Sequence, residues 1–119
     1  MTILNLTQHI ATPDQKAAGV VDFTEKDRKT LQALLTFTNL PEKVGIIERA
    51  KKIKLLADTT DFCSVMIGGA PYLMCPLEKA LQDYGIFYAY SKRECVEISQ
   101  EDGSVKKTFV FKHEGFIEV

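Results

Sequence analysis

The chain has 119 residues, of which 45% are apolar and 26% are charged, so we expect one compact domain spanning residues 1–119 and exclude a two-domain enzyme. Fifteen Lys and Arg against sixteen Asp and Glu give a formal charge of -1, which argues against duplex DNA or a membrane as a partner. Three widely spaced cysteines match neither a disulfide framework nor a zinc site, so we expect reduced thiols, no metal and no cofactor. The N-terminus lacks a basic signal region and no run of about 18 apolar residues occurs, so the sequence predicts a cytoplasmic protein.

The first half of the chain predicts a strand followed by three helices. Residues 3–8 form a short apolar run that stops at a polar cluster, as a buried strand does at the edge of a sheet. Thr12–Gln15 forms a capping box with proline at the first helical position, which predicts a helix that ends at Gly19. After a second apolar run, amphipathic spacing predicts two more helices, which begin at Thr24 and at Pro41.

The second half predicts two strands around a helix, and then a hairpin. The apolar run Cys63–Ile67 leads through two glycines into a helix that ends at Gly85. Ile86–Tyr90 predicts a buried strand that ends at the polar cluster Ser91-Lys92-Arg93. Alternating residues on either side of Asp102-Gly103 predict an antiparallel hairpin at the C-terminus.

Strands alternating with helices predict an α/β fold, with a mostly parallel sheet flanked by helices and a C-terminal antiparallel β-hairpin. In such sheets, ligands bind outside the carboxyl ends of the strands. Three polar clusters follow predicted strands and are therefore the candidate site: Thr7-Gln8-His9, Gly68-Gly69 and Ser91-Lys92-Arg93.

Each cluster has a functional interpretation and a structural alternative. The amides of Gly68 and Gly69 suit an anion at a helix N-terminus, although the pair also fits a plain tight turn. Lys92 and Arg93 suit a phosphate, although both also fit a solvated turn paired with neighbouring glutamates. His9 has the chemistry of a general acid or base, and Thr7 and Gln8 can hydrogen-bond a ligand, although a lone histidine is more often structural.

Three segments together resemble small standalone CRISPR-associated proteins with a CARF (CRISPR-associated Rossmann fold) domain. His9–Gln15 is similar to an H-x-x-T-x-E-Q pattern of the ring-nuclease group in that family, and Tyr88–Glu94 is similar to its Y-A-[TS]-x-x-R-E pattern. Asp102–His113 is similar to its D-G-[ST]-V-K-K-x-x-V-F-K-H ending. The resemblance covers both ends of the chain and implies a Rossmann-like fold.

The resemblance also implies a function. Such proteins are homodimers that bind a cyclic oligoadenylate, here expected to be cyclic tetra-adenylate, and the ring-nuclease group cleaves it without a metal by attack of a ribose 2'-hydroxyl. This reaction switches off type III CRISPR signalling. The implied catalytic residues are Lys92, His9 and Gln8. The implied ligand-binding residues are Thr7, Gly68, Gly69, Ser91 and Arg93.

Two other functions remain open at the level of the sequence. One is a sensor or sponge that binds the same ligand without cutting it, because cleavage depends on a fine alignment that no motif encodes. The other is an α/β protein that binds an ordinary mononucleotide or serves as an assembly subunit.

Overall fold

A computed structural model describes residues 1–119 as five strands and four helices. All five strands belong to one sheet. In chain order the elements are β1 (Ile3–Asn5), α1 (Pro13–Ala17), β2 (Val20–Val21), α2 (Glu25–Leu35), α3 (Lys43–Ala57), β3 (Ser64–Ile67), α4 (Pro71–Ala80), β4 (Gly85–Ser99) and β5 (Val105–Glu118).

The strand order β2-β1-β3-β4-β5 confirms the predicted fold class. The first four strands are parallel, and β5 runs antiparallel to β4. The chain therefore moves outward from β1 in one direction to β2 and in the other direction to β3 and β4. This arrangement is a Rossmann-like α/β sheet with an antiparallel hairpin at one edge.

Each face of the sheet has its own hydrophobic core. The larger core holds the inward sides of α2, α3 and α4, where Leu31, Ile53 and Leu77 are fully buried. The smaller core lies on the opposite face, where the segment that runs from Ala11 into α1 covers Met66. The alternation of side chains along a strand explains this division, since successive residues of β1 and β3 point to opposite cores.

Local signals explain where the helices begin better than where they end. The predicted capping box is present, because the Thr12 side chain accepts from the Gln15 amide while the Gln15 side chain accepts from the Thr12 amide. Gly85 was expected to end a helix, and this prediction is wrong: α4 ends at Ala80, and Gly85 is the first residue of β4. Gly85 packs against Ser64, where a Cβ atom would lie 3.0 Å from the Ser64 Oγ. The glycine therefore serves a close approach of two strands.

The hairpin is longer than the sequence predicts. β4 was expected to end at Tyr90, but it continues without interruption to Ser99 because β5 supplies hydrogen-bonding partners along its whole length. β3 pairs with β4 only as far as Tyr88. Beyond that residue the two strands project past the sheet as a two-stranded ribbon, and the longest dimension of the molecule is 56 Å.

A β-bulge marks the base of this ribbon. Tyr90 pairs with Gly115 and Ser91 pairs with His113, so Glu114 is an extra residue in β5. The bulge keeps His113 on the same side of the hairpin as Phe116, and the two rings are 4.8 Å apart. The ring of Phe116 in turn contacts Phe87 of the smaller core, with centroids 6.1 Å apart.

None of the four helices is long and apolar enough to cross a membrane.

Candidate functional site

A cavity of about 540 Å³ opens where the parallel strands end. The chain leaves β1 toward the face that Ala11 covers and leaves β3 toward the face that α4 covers. Because these two connections diverge, they leave a crevice between the carboxyl ends of the strands. The lining residues are Thr7, Gln8, His9, Ile10, Thr12, Gln15, Met66, Ile67, Gly68, Gly69, Tyr88 and Ala89.

Five of the eight predicted site residues meet in this cavity. Thr7, Gln8 and His9 come from the loop after β1, and Gly68 and Gly69 come from the loop after β3. The segments are about sixty residues apart in the sequence, and only the pairing of β1 with β3 brings them together. The cavity lies within the size range of small-molecule sites, which is about 300 to 1,000 Å³.

A buried asparagine shapes the loop that follows β1. The Asn5 amide nitrogen donates to the His9 carbonyl at 2.8 Å and to Asp22 Oδ1 at 2.7 Å. The Asn5 side-chain oxygen accepts from the Thr7 amide at 2.9 Å and from the Thr7 hydroxyl at 2.6 Å. All four hydrogen-bonding positions of this amide, two protons and two lone pairs, are thereby used, and the side chain is only 3% exposed.

Asp22 also supports the loop that follows β1. The sequence analysis identifies neither Asn5 nor Asp22 as a residue of the site. The Asp22 carboxylate accepts from the Ala11 amide at 3.1 Å as well as from Asn5. The only sequence signal was a single asparagine inside an apolar run, which marks a buried polar group in need of partners.

The three polar residues of the loop differ in their freedom to bind a ligand. The Thr7 hydroxyl already donates its proton to Asn5, so this side chain has only acceptor capacity left for a ligand. Gln8 and His9 are exposed, and neither side chain has a hydrogen-bond partner within the chain. Gln8 and His9 are therefore the side chains of this loop that are free to engage a ligand.

The two glycines after β3 have different roles. Gly69 has φ of +143°, a conformation that side chains with a Cβ atom rarely adopt. Gly68 has no such constraint, and a Cβ atom there would meet only the Thr7 Cγ2 atom at 3.6 Å. Gly69 is thus required by the turn itself, whereas Gly68 leaves open space against the loop after β1.

Tyr88 forms the side of the cavity on β4. Its hydroxyl donates to Glu78 Oε2 at 2.8 Å. Partial burial, together with this hydrogen bond and the nearby negative charge, raises the pKa of Tyr88 to about 12. The phenol therefore stays protonated near neutral pH.

The third predicted cluster lies outside the cavity. Ser91, Lys92 and Arg93 were expected at the end of a strand, but they lie inside the continuous strand β4 and do not line the cavity. Lys92 follows Ala89 by three residues, a separation of about 10 Å along a strand. Because neighbouring strand residues point to opposite faces, Lys92 and Arg93 also point away from each other.

No group of three or more His, Cys, Asp and Glu side chains lies close enough together to hold a metal ion. The three cysteines, Cys63, Cys75 and Cys95, are exposed and free.

A second groove, of about 580 Å³, lies between α3 and α4. It contains none of the predicted residues and lies on the helical face instead of the strand ends. Its lining combines lysines with apolar side chains: Lys43, Ile46, Ile47, Lys51, Tyr72, Cys75, Pro76, Lys79 and Ala80.

A family model with the description "Uncharacterized protein MJ1673 family" matches residues 1–117. No curated protein and no solved structure matches the chain. Since the match includes both strand-end loops and nearly the whole hairpin, the chain belongs to the MJ1673 family.

Proposed function

We propose that the cavity at the carboxyl ends of β1 and β3 binds a cyclic oligoadenylate and that the protein cleaves this ligand. The observation that carries the proposal is the meeting of Thr7, Gln8, His9, Gly68 and Gly69 around one cavity. The sequence predicts all five at the ends of strands. The identity of the ligand rests on the resemblance to ring nucleases in the segments His9–Gln15, Tyr88–Glu94 and Asp102–His113.

The cavity suits a nucleotide better than a simple anion. Its polar residues are neutral amides and hydroxyls together with His9, and Met66, Ile67 and Ala89 give it an apolar floor. Backbone amides near Gly68 and the N-terminus of α4 can donate to a phosphate without a full charge. The apolar floor and Tyr88 offer a surface to a base.

Cleavage needs no co-reactant beyond the ligand, the chain and water. A ribose 2'-hydroxyl attacks the adjacent phosphorus, the bond to the 5'-oxygen breaks, and a 2',3'-cyclic phosphate forms. His9 takes the proton of the 2'-hydroxyl, the departing 5'-oxygen takes a proton from a water molecule to become a hydroxyl, and the resulting hydroxide takes the proton from His9. Gln8 holds the ribose in line for this attack.

Lys92 and Arg93 lie outside the cavity, unlike the loop residues, so they cannot contact the part of the ligand that the cavity holds. They extend from the strand that forms one side of the cavity, about 10 Å beyond Ala89. A two-fold symmetric ligand larger than one cavity extends past its edge, where Lys92 can meet its outer phosphates, while Arg93 points to the other side of the strand. This arrangement also requires a homodimer, in which each copy provides half of the binding surface.

One observation favours the alternative of a sensor that binds the ring without cutting it. Only His9 and Tyr88 among the lining residues ionise, and the Tyr88 hydroxyl is engaged by Glu78. A site with one free proton carrier binds a ring as well as a catalytic site does, but it provides only one of the two proton transfers.

Incubation of labelled cyclic tetra-adenylate with excess protein, followed by chromatography, tests the proposal. A linear product ending in a 2',3'-cyclic phosphate supports cleavage, and an intact ring that elutes with the protein supports the sensor. A ring that neither binds nor changes contradicts both and leaves mononucleotide binding or an assembly role.

His9→Gln separates catalysis from binding. We expect the single-turnover rate to fall by about 100-fold or more while affinity changes little, because glutamine keeps a hydrogen-bonding group but cannot take up a proton at neutral pH. Gln8→Ala has a matched control in Gln82→Ala, since Gln82 is exposed at the opposite end of the sheet. Equal single-turnover rates of these two variants would contradict the assigned role of Gln8.

A further inference from the structure

The projecting part of the hairpin has no packing layer on either side. We define the ribbon as Ala89–Ser99 of β4, Val105–Gly115 of β5 and the loop between them. No residue of the ribbon is buried. Two-stranded hairpins are marginally stable in water unless another layer covers them. The ribbon therefore has the properties of a surface that a partner covers.

One side of the ribbon, which we call the aromatic face, carries two exposed phenylalanines. Directly paired residues of antiparallel strands share a face. The central pairs on this face are Arg93 with Phe111, Cys95 with Phe109, and Glu97 with Lys107, and they are flanked by Ser91 with His113 and by Ser99 with Val105. Phe109 is 54% exposed and Phe111 is 77% exposed. Arg93 holds its guanidinium 3.8 Å from the centre of the Phe109 ring.

The charges of the ribbon do not favour a polyanion or a polycation. Five cations are balanced by five carboxylates, so a nucleic acid or an acidic protein finds no net attraction. The cations are Lys92, Arg93, Lys106, Lys107 and Lys112, and the carboxylates are Glu94, Glu97, Glu101, Asp102 and Glu114.

The aromatic face is instead complementary to itself. Consider a two-fold axis that lies between two ribbons and runs across their strands, directly over the Cys95–Phe109 pair. This axis places the two aromatic faces together and reverses the strand direction of the second copy. Each Arg93 then lies opposite Glu97 of the other copy, and each Phe111 lies opposite Lys107 of the other copy. The same axis brings the two Phe109 rings together. Every facing pair among the three central pairs is thus an ion pair, a cation over a ring or an apolar contact.

We propose that a second copy of this chain covers the aromatic face, with the two-fold axis at the Cys95–Phe109 pair. The inference deepens the proposed function and rests on it for the ligand that the pair would hold. The position of the interface does not depend on the ligand. It is inferred from the aromatic face alone, because the exposed rings and alternating charges of this face complement those of a second copy only when that copy is reversed. Isologous pairing of this kind closes after two copies.

Sedimentation velocity of the ligand-free protein at micromolar concentrations tests the pairing. We expect a species of twice 13.4 kDa for the natural sequence. Arg93→Glu and Glu97→Arg each place like charges opposite one another and should weaken dimerisation by about tenfold or more. The double variant with both changes restores opposite charges and should recover most of the loss. A double variant as weak as the single variants would overturn the proposed axis.

A second pair of variants keeps the test independent of Arg93. Phe111→Ser should convert the dimer to monomer, whereas Ile98→Ser should not, because Ile98 is 47% exposed on the opposite face of the ribbon. Circular dichroism confirms that both variants remain folded. A monomeric natural protein, or equal effects of the two variants, would contradict the inference.

Crosslinking locates the axis. In a Cys63→Ser, Cys75→Ser background, a short bismaleimide should join two chains through Cys95, and Cys95→Ser should abolish the product. Absence of the product from a dimer would contradict the axis at this pair. A dimer that fails to bind cyclic tetra-adenylate contradicts the proposed ligand and leaves this inference standing. A monomer that binds it contradicts this inference and the two-fold arrangement of the site, but leaves the proposed ligand standing.

Discussion

The body of the molecule and the ribbon contain strands of similar regularity but differ in what covers them. All 19 buried residues lie between Ile3 and Phe87, and the ribbon contributes none. The strands of the body are short, and helices and loops cover both of their faces, whereas the ribbon has long strands and no cover. Regular hydrogen bonding is therefore common to both regions, while burial, which supplies most of the stability, belongs to the body.

The largest effect should come from a core residue compared with an exposed aromatic residue. Leu77 of α4 is fully buried, so Leu77→Ala should lower the free energy of unfolding by about 3 kcal/mol. Phe111→Ala should lower it by no more than about 0.5 kcal/mol in the monomer, because the ring is 77% exposed. Urea unfolding at low protein concentration measures both, and a large effect of Phe111→Ala there would show that the ribbon packs on its own body.

The next prediction compares two side chains that each organise a turn. Asn5→Ala should cost about 2 kcal/mol, because it leaves buried partners such as the Thr7 amide and Asp22 without their hydrogen bonds. Asp102 of the ribbon also accepts from a backbone amide, that of Ser104, but it is exposed. Asp102→Ala should therefore cost less than about 0.5 kcal/mol. Equal losses in thermal unfolding would contradict the assignment of Asn5 as the support of the cavity loop.

Two glycines with positive φ provide a comparison of backbone strain. Gly69→Ala in the body should cost about 1 to 2 kcal/mol of global stability, since φ is +143° there. Gly103 at the tip of the ribbon has φ of +86°, and its exposed loop can open while the body stays folded. Gly103→Ala should thus leave the unfolding midpoint unchanged and raise the hydrogen-exchange rate of nearby amides. Gly68→Ala, at an unconstrained position, is the control for the loop.

The smallest effect should come from Tyr88, where the body meets the ribbon. Tyr88→Phe removes the hydrogen bond to Glu78 and should cost about 1 kcal/mol. The pKa of Tyr88 is raised from 10.0 to about 12 in the folded protein. The stabilisation that the protonated Tyr88 hydroxyl gives to the folded protein is therefore present below pH 10 and is lost as the pH rises toward 12. The phenylalanine variant should show a shallower loss of stability over that interval, and parallel curves would contradict the assignment.

The sequence predicts the elements of the body well because each has a local signal. The capping box of Thr12 and Gln15 and the two glycines after β3 depend on neighbouring residues, and both features are present. The meeting of two loops at one cavity followed from a general property of parallel sheets. That property required no knowledge of side-chain positions.

The errors arose where partners distant in the sequence decide the structure. Polar residues after Tyr90 resemble the end of a strand, but β5 pairs with them and the strand continues. Asn5 resembles an interruption of an apolar run, but its role depends on Asp22, seventeen residues away. The positions of Lys92 and Arg93 relative to the cavity depend on the length of the hairpin. Local patterns do not determine that length.

The bulge at Glu114 decides which way the aromatic residues of the ribbon point. Phe111 and Phe116 are five residues apart, so a regular β5 that paired every residue would carry Phe109 and Phe111 on the side opposite to Phe116. With the bulge, all three rings share the side that continues into the smaller core. Deletion of Glu114 should consequently restore a regular ladder and keep the sidedness of the ribbon, whereas a one-residue insertion in a regular part of β5 keeps it only if a second bulge forms.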